Sequence, residues 1–483
     1  MELVVSAVVG ELVNRFMSFL FNKYKSEEQL EKKVRMLQDL VVRAHMIVEE
    51  AEARYITNSK MLLQLKKLVE VMYQGYLVLD TNRYTTVNEV SSSFSELSVT
   101  TYIKRLFTCV DHELQPALDN LESLLSNMKE FVFLLHGCER MFRGPYDSYL
   151  YIDNFMFGRH VEKQQIINIL LQDNPPPFFT PTVLPVIGGV RVGKKTLIAH
   201  VCNNEKIRSQ FSSVLHLNGE NIWTMEHDAA PVIPAPAGKS LLVVHFASDV
   251  DDEVWLKFYS SAAKQMGRGS KIVIVSRVRM LSRLGTVQPI CLNNLSHQEY
   301  SYLFKVLAFG STNPEEHHPQ LASVAQYLAE ALRGSLVTAN LYAHLLRKNQ
   351  NVGAWLCILQ KYRKVVENNM SIFGVHPKNL MDKEHPIYIT SLVPLSSSPI
   401  LRLMPPQREI DASKGRLPKV LLGDLIVGSA VLPKKEFQVV VWESRIPPYK
   451  RFVHLATYCD DEPVVSSQHH TASPSMKRRR LDK

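Results

Sequence analysis

From residue 186 to residue 197 the chain reads Val186-Ile-Gly-Gly-Val-Arg-Val-Gly-Lys-Lys-Thr-Leu197, and here residue type and spacing point most directly to chemistry. Gly188, Gly189 and Gly193 let successive backbone N–H groups turn inward around an anion, and Lys194 carries a point charge to the outer oxygens of a phosphate chain. A loop of this kind equipped for hydrolysis places a hydroxyl directly after the lysine, where it ligates Mg²⁺. That place holds Lys195, and the hydroxyl comes one residue late, at Thr196. An ammonium cannot ligate a cation and repels one. The loop therefore reads as a phosphate grip lacking its metal ligand.

A second segment points the same way. Nucleotide hydrolases need an apolar strand ending in acids that orient Mg²⁺ and water. The matching run, Leu241-Leu-Val-Val-His-Phe246, ends in His245 and Phe246. Asp249, Asp251 and Asp252 follow beyond the strand end and read as loop charges. His245 alone at a strand end is better read as a hydrogen-bonded structural residue than as a metal ligand or base. Arg277, closing the run Lys271-Ile-Val-Ile-Val-Ser-Arg277, is placed to face a terminal phosphate. Nucleotide binding without hydrolysis is the expectation, with no catalytic residue, no metal site and no place for Mg²⁺.

The elements that must hold these residues follow from hydrophobic pattern. In the first 140 residues, Leu30, Val34, Leu37, Val41, Ala44, Val48 and Ala51 alternate spacings of four and three, the narrow seam of a coiled-coil-like helix. Ser26 and Gln29 suit its capping box. Met61, Leu65, Leu68, Met72 and Leu79 mark a further helix. Leu114, Leu118, Leu121, Leu125, Met128, Val132 and Leu135 mark another, with Pro116 in its first turns. An antiparallel four-helix bundle over residues 1–140 is predicted. From 155 to 295 short apolar runs alternate with helices: strands are predicted at Thr182–Ile187, Val214–Leu217, Leu241–Phe246, Lys271–Ser276 and Pro289–Leu292, forming a parallel sheet covered on both faces. The loop follows the first strand and opens a helix at Lys195–Asn203, whose N-terminus favours phosphate. Residues 296–370 turn helical, through 296–307 and 320–346. Residues 371–460 are proline-rich and irregular, with one clear strand at Phe437–Trp442. Residues 461–483 form a basic tail, expected to be disordered. The fold class is thus α followed by α/β, then a helical subdomain and an irregular C-terminal region.

Bulk composition agrees with an ordinary soluble protein: 483 residues, 21% charged, 46% hydrophobic, net charge +9. Much of the positive excess sits in the final tail, so a nucleic-acid-binding face is not implied. The six cysteines form no CxxC pair, which argues against zinc and against a secreted disulfide framework. The apolar start of the chain is interrupted by Glu11, Asn14 and Arg15 and reads as neither signal peptide nor membrane span.

The order of these motifs resembles that of plant intracellular immune receptors of the coiled-coil NB-ARC (NLR) family, over roughly residues 1 to 365. Phe157-Gly-Arg-His-Val-Glu162 is similar to the family's hydrophobic-Gly-Arg-x-x-Glu linker. The resemblance implies that Phe157, Gly158 and Arg159 contact the adenine end of a nucleotide. Gly269–Arg277 is similar to its sensor strand, and Leu295–Phe304 to the start of its first ARC helical subdomain. Other signatures depart from the pattern. The Gly-Leu-Pro-Leu segment reads Gly334-Ser-Leu-Val337, the acidic patch of the third bundle helix keeps only Asp80, and no Met-His-Asp motif or leucine-rich period of 20–30 residues is found. The resemblance implies a truncated, diverged, Rx-type relative with a degenerate NB domain. It implies ADP (or ATP) as ligand, and self-association or NLR partners through the bundle. Two alternatives stand beside it: a slow ATPase switch using Asp249 or Asp251, and a nucleotide-free scaffold or regulator of full-length receptors. Lys477, Arg478, Arg479 and Arg480, bracketed by Pro474 and Leu481-Asp482, read as a nuclear-import signal for an import receptor. Nucleus and cytoplasm are the expected locations.

Overall fold

The computed structural model describes residues 29–90, 113–140, 157–173, 180–220, 238–310, 319–393, 400–405, 417–443 and 451–459. The N-terminal twenty-eight residues, including Ser26, and the tail with Lys477–Arg480 lie outside them. The chain divides into two units: residues 1–356 with 442–451, and residues 357–441 with 452–483.

The first unit opens with helices. In α1 (29–52) the expected seam turns inward: Leu37, Val41, Ala44, Val48 and Ala51 share one core with Leu62, Leu65, Leu68 and Met72 of α2 (Ser59–Val90). Gly75 sets the spacing of this pair, because a Cβ there would lie 2.5 Å from Val41 Cγ2. The single helix expected over 114–135 is instead two, α3 (113–126) and α4 (Lys129–His136). Ser126 Oγ donates to Glu122 O and Asn127 Nδ2 to Ser123 O, so side chains take up the carbonyls of the last turn. Met128, buried at the break, turns the chain back into the bundle core, where Phe131 and Leu135 of α4 join it.

After α5 (His160–Leu171) comes the sheet: β1 (Thr182–Gly188), β2 (Ser213–Asn218), β3 (Ser240–Phe246), β4 (Lys271–Ser276) and β5 (Ile290–Leu292). Its order is β2-β3-β4-β1-β5, and every recorded pairing is parallel. Strands buried on both faces must be apolar throughout, which is why they read as unbroken runs. Leu184, Val186, Leu241, Val243, Val273 and Val275 pack against α5, α6 (Lys194–Cys202) and α7 (Glu205–Gln210). Val183, Ile187, Leu242, Val244, Ile272 and Ile274 pack against α8 (Asp252–Gln265) and the 3₁₀ helix Arg279–Leu284. The helix after the loop begins at Lys194, one residue earlier than expected, since Gly193 with φ 93° closes the loop as its N-cap.

Three helices follow: α9 (His297–Phe309), α10 (Pro319–Leu332) and α11 (Leu336–Lys348). A capping box starts α9, Ser296 Oγ accepting from Glu299 N while Glu299 Oε2 accepts from Ser296 N. The one helix expected over 320–346 is broken where Arg333 and Gly334 take φ of 49° and 78°, after which the Ser335 side chain caps α11. At the start of α12 (Val352–Phe373), the buried Trp355 donates Nε1 to Leu346 O and Asn349 O.

In the second unit the single expected strand, 437–442, is one of five. β6 (Ile387–Tyr388), β7 (Ile400–Leu403), β8 (Lys419–Leu421), β9 (Phe437–Glu443) and β10 (Arg451–Cys459) lie in the order β6-β7-β10-β9-β8, beside the short helices α13 (Pro377–Asp382) and α14 (Leu422–Val427). The buried Asn369 of α12 donates to Tyr388 O and accepts from Tyr388 N, so it holds β6 as a neighbouring strand would. Strands of two to four residues leave too short an alternation to be read from sequence. No described helix is long and apolar enough to cross a membrane.

Candidate functional site

The loop at the C-terminal end of β1 is built by sterics first. A Cβ on Gly188 would fall 2.5 Å from Leu292 O of neighbouring β5, so only glycine fits, whereas Gly189 has room, its nearest contact being 3.5 Å. Arg191 and Gly193 both take left-handed backbone, φ 58° and 93°, and between them the chain reverses into α6. Lys194 Nζ donates to Gly188 O at 2.8 Å and Gly189 O at 2.5 Å. An ammonium has three donors; two hold the loop in shape, and one remains for a ligand.

Charge around the loop is all of one sign. Lys195 is exposed and Thr196 half-buried on the first turn of α6. Arg277 follows β4, whose register pairs Ser276 with Ile187 and so brings Arg277 level with Gly188. Burial, then Lys195, then Arg277 push the Lys194 pKa down to about 8. An anion such as a phosphate is the group that would relieve this crowding.

The end of β3 supplies no carboxylate. His245 shares a face with Leu241 and Val243, and its ring stacks on His216 of β2, centroids 5.8 Å apart and 8° from parallel. The acids beyond the strand are already engaged. Asp249 accepts from Arg283 Nη1 at 2.9 Å and Asp252 from Arg283 Nε at 2.8 Å, while the Asp251 side chain caps α8 through Glu253 N at 2.8 Å. The hydrogen bond from Arg283 holds the Asp249 carboxyl below its usual range. The loop geometry fits a phosphate; the groups where Mg²⁺ would sit do not fit a cation. Among the described residues no cluster of three or more His, Cys, Asp or Glu could hold a metal.

The linker residues divide between two tasks. Gly158 has φ 69°, and a Cβ there would lie 2.7 Å from Leu295 Cδ2. Arg159, only 5% exposed, donates Nη2 to Val192 O in the phosphate loop at 3.4 Å and to Asn293 O after β5 at 2.5 Å. It ties the loop to the start of the helical subdomain. Burial lowers its pKa, while Glu162 and Glu299 favour its charge. Glu162 in turn meets Lys66 of α2 at 3.2 Å. A cavity of about 190 Å³ lies here, lined by Gly158, Arg159, Asn293 and Glu299 on one side and by Leu65 and Lys66 on the other.

Phe157 instead enters an aromatic cluster that the sequence did not reveal. Its ring lies 5.3 Å from Tyr73 of α2 and 6.0 Å from Tyr302 of α9, and Tyr302 is 4.9 Å from Tyr73 and 5.1 Å from Tyr76. Beside it, Asp80 pairs with Lys305 Nζ at 2.7 Å and Thr81 Oγ1 accepts from Gln326 at 3.2 Å. Asp80, the one acid kept from the expected patch, thus binds the helical subdomain. Gly334-Ser-Leu-Val337 forms the turn into α11, where Tyr300 Oη donates to Ser335 O at 3.0 Å. The Tyr73/Tyr76 spacing on α2 was the only sequence signal for this junction, since Tyr302 and Lys305 lie more than 220 residues away.

A parallel sheet whose first strand ends in a glycine loop and opens a helix defines a P-loop type of α/β domain, here carrying a helical bundle before it and helices after it. No family profile matches the chain. It is 21% identical over 376 residues to the disease resistance protein RGA2 of Solanum bulbocastanum, covering 72% of this chain and 38% of that protein. To the putative disease resistance protein RGA4 of the same species it is 22% identical over 377 residues, covering 72% and 37%. A putative disease resistance protein of Arabidopsis thaliana is 25% identical over 231 residues, 43% of this chain and 16% of that one. These matches relate the chain to the NLR-type disease-resistance proteins of plants, and it spans less than two-fifths of the length of those relatives. Among solved structures, a chain from the structure of Drosophila ORC bound to DNA has a TM-score of 0.24 at 14% identity, covering 46% of this chain and 64% of that one; a likeness at that score carries no argument.

Proposed function

We propose that this chain is an NLR-like plant defence or signalling protein whose P-loop domain holds ADP as a structural ligand without hydrolysing ATP. The observation that carries this reading is the loop itself: Lys194 braces Gly188 and Gly189 with one donor to spare, beside Lys195 and Arg277. Such a site receives phosphate oxygens. With Lys195 in the metal-ligating place and His245 at the end of β3, it has no means to position Mg²⁺ or activate water. Bound nucleotide then stabilises the fold by mass action instead of driving a cycle. In this proposal the bundle contacts other proteins, either a second copy or related receptors, and Lys477–Arg480 address the protein to the nucleus as well as the cytoplasm.

Denaturing the purified protein, identifying any released nucleotide, and assaying phosphate release with and without Mg²⁺ tests the reading. Near-stoichiometric ADP without turnover is expected. Magnesium-stimulated turnover would establish an ATPase switch instead, and an empty site would leave a nucleotide-free scaffold. For the tail, deleting residues 477–483 is expected to move a fluorescent fusion into the cytoplasm; an unchanged nuclear signal would refute the import role.

A further inference from the structure

Beyond the loop, a second basic site lies between α5 and α6. Lys163 stands one turn after Arg159, on the face of α5 that carries Ile166, Ile167 and Leu170 into the core shared with α6. His200 stands one turn after Thr196, beside Leu197 and Val201, which enter the same core from α6. The two helices therefore press these side chains together between them. Lys163 is half-buried and makes no ion pair or side-chain hydrogen bond among the described residues, and His200 Nε2 is fully buried with no hydrogen-bond partner among them.

Two basic groups sharing a crevice without a carboxylate are an unfavourable arrangement unless an anion joins them. Burial pushes both pKa values down, and Lys163 adds to the effect on His200; no acid opposes either shift. The seven residues from Gly193 to His200 advance about 10 Å along the helix. That is too far for a phosphate held at the loop to reach this pair, so it is a separate site.

We propose that Lys163 and His200 form an anion-binding subsite that takes a phosphate group, distinct from the phosphate loop. A ligand's further phosphate and a free phosphate or pyrophosphate share this chemistry. The site does not depend on the nucleotide reading of the loop, and the two fail separately.

The test is calorimetric titration of the whole chain with pyrophosphate, without Mg²⁺, before and after saturation with ADP, together with ring-selective NMR of the histidines. ADP-saturated wild type is expected to bind one equivalent of pyrophosphate, with the His200 ring signal, assigned by its loss in H200Q, shifting its titration upward. K163Q and H200Q are expected to lose that equivalent and keep ADP, K163R to regain it, and K194A to lose ADP and keep it. If the second equivalent is absent in wild type, or unchanged in K163Q and H200Q, the subsite is wrong. Should ADP supply the phosphate here, the K163Q and H200Q variants would weaken ADP binding and pyrophosphate would add nothing to ADP-saturated wild type. That result would overturn the separateness of the site. Loss of ADP binding alone, with the pyrophosphate equivalent intact, would instead sink the reading of the loop.

Discussion

Lys194 and Lys305 are both largely removed from water, yet their surroundings differ in kind. Lys305 meets the Asp80 carboxylate at 2.7 Å, its ammonium lying 5.6 Å from the centre of the Tyr302 ring, and the whole junction of α2, Phe157 and α9 is internally paired. Lys194 meets only backbone carbonyls and two more cations. A group whose charge is balanced inside the protein serves the fold. A group buried among like charges is balanced only from outside, and that asymmetry separates a structural joint from a binding site. The joint also adjoins the site: Phe157 belongs to the aromatic cluster, and two residues later Arg159 reaches the loop.

Removing Lys194 should have the largest effect. In K194A the spare donor and both bonds bracing the loop are gone, and charge-assisted bonds of about 1.5–3 kcal/mol each imply ADP binding weaker by at least about 100-fold in calorimetry, with little loss of stability in the apo protein. A comparable loss of fold stability with unchanged ADP affinity would reverse the contrast between the two lysines. At the joint, K305M and D80N should each cost about 2 kcal/mol in urea unfolding, since each strands a poorly solvated partner, while the double variant recovers part of that loss. Additive single effects would show that Asp80 and Lys305 do not depend on each other.

The smallest effect is a pH dependence. Lys194 has a folded pKa of about 8 against 10.5 for the free side chain. Below pH 8 the group is protonated in folded and unfolded chains alike, and the folded state carries the full penalty of the crowded charge. Between about 8 and 10.5 the folded state binds fewer protons, so the stability of the apo protein should rise with pH through that window. ADP binding should fall over the same range, because the donor it needs is being lost. Unfolding curves at pH 7.5 and 9.5, with and without ADP, check both signs; ADP protection that grows with pH would show that the Lys194 ammonium is not the group holding the phosphate.

Much of the nucleotide module was legible because its determinants are local. Five apolar runs became five strands, and the glycine–lysine loop lies where a strand hands over to a helix. The seam Leu37–Ala51 faces the core for the same reason, periodicity alone fixing which side of a helix is buried. Breaks were harder to read. The interruption at Asn127-Met128 rests on side chains returning to their own carbonyls, and the short strands of the second unit are defined by partners such as Asn369 of α12 and not by pattern. Lys271 is similar: a lysine 2% exposed looks wrong for a sheet core until Gln172 O and Thr182 Oγ1 are found accepting from it.

The amino-acid order by itself decided what the phosphate loop has and lacks, since a hydroxyl displaced from 195 to 196 and a histidine at 245 are facts of composition at fixed spacing. Only the tertiary structure decided who neutralises whom. Asp80 lies 225 residues from Lys305, Asn293 lies 134 from Arg159, and Asp249 lies 34 from Arg283. Charge pairing acts through space, falling off over a few ångströms, and sequence separation carries no record of those distances until the chain has folded.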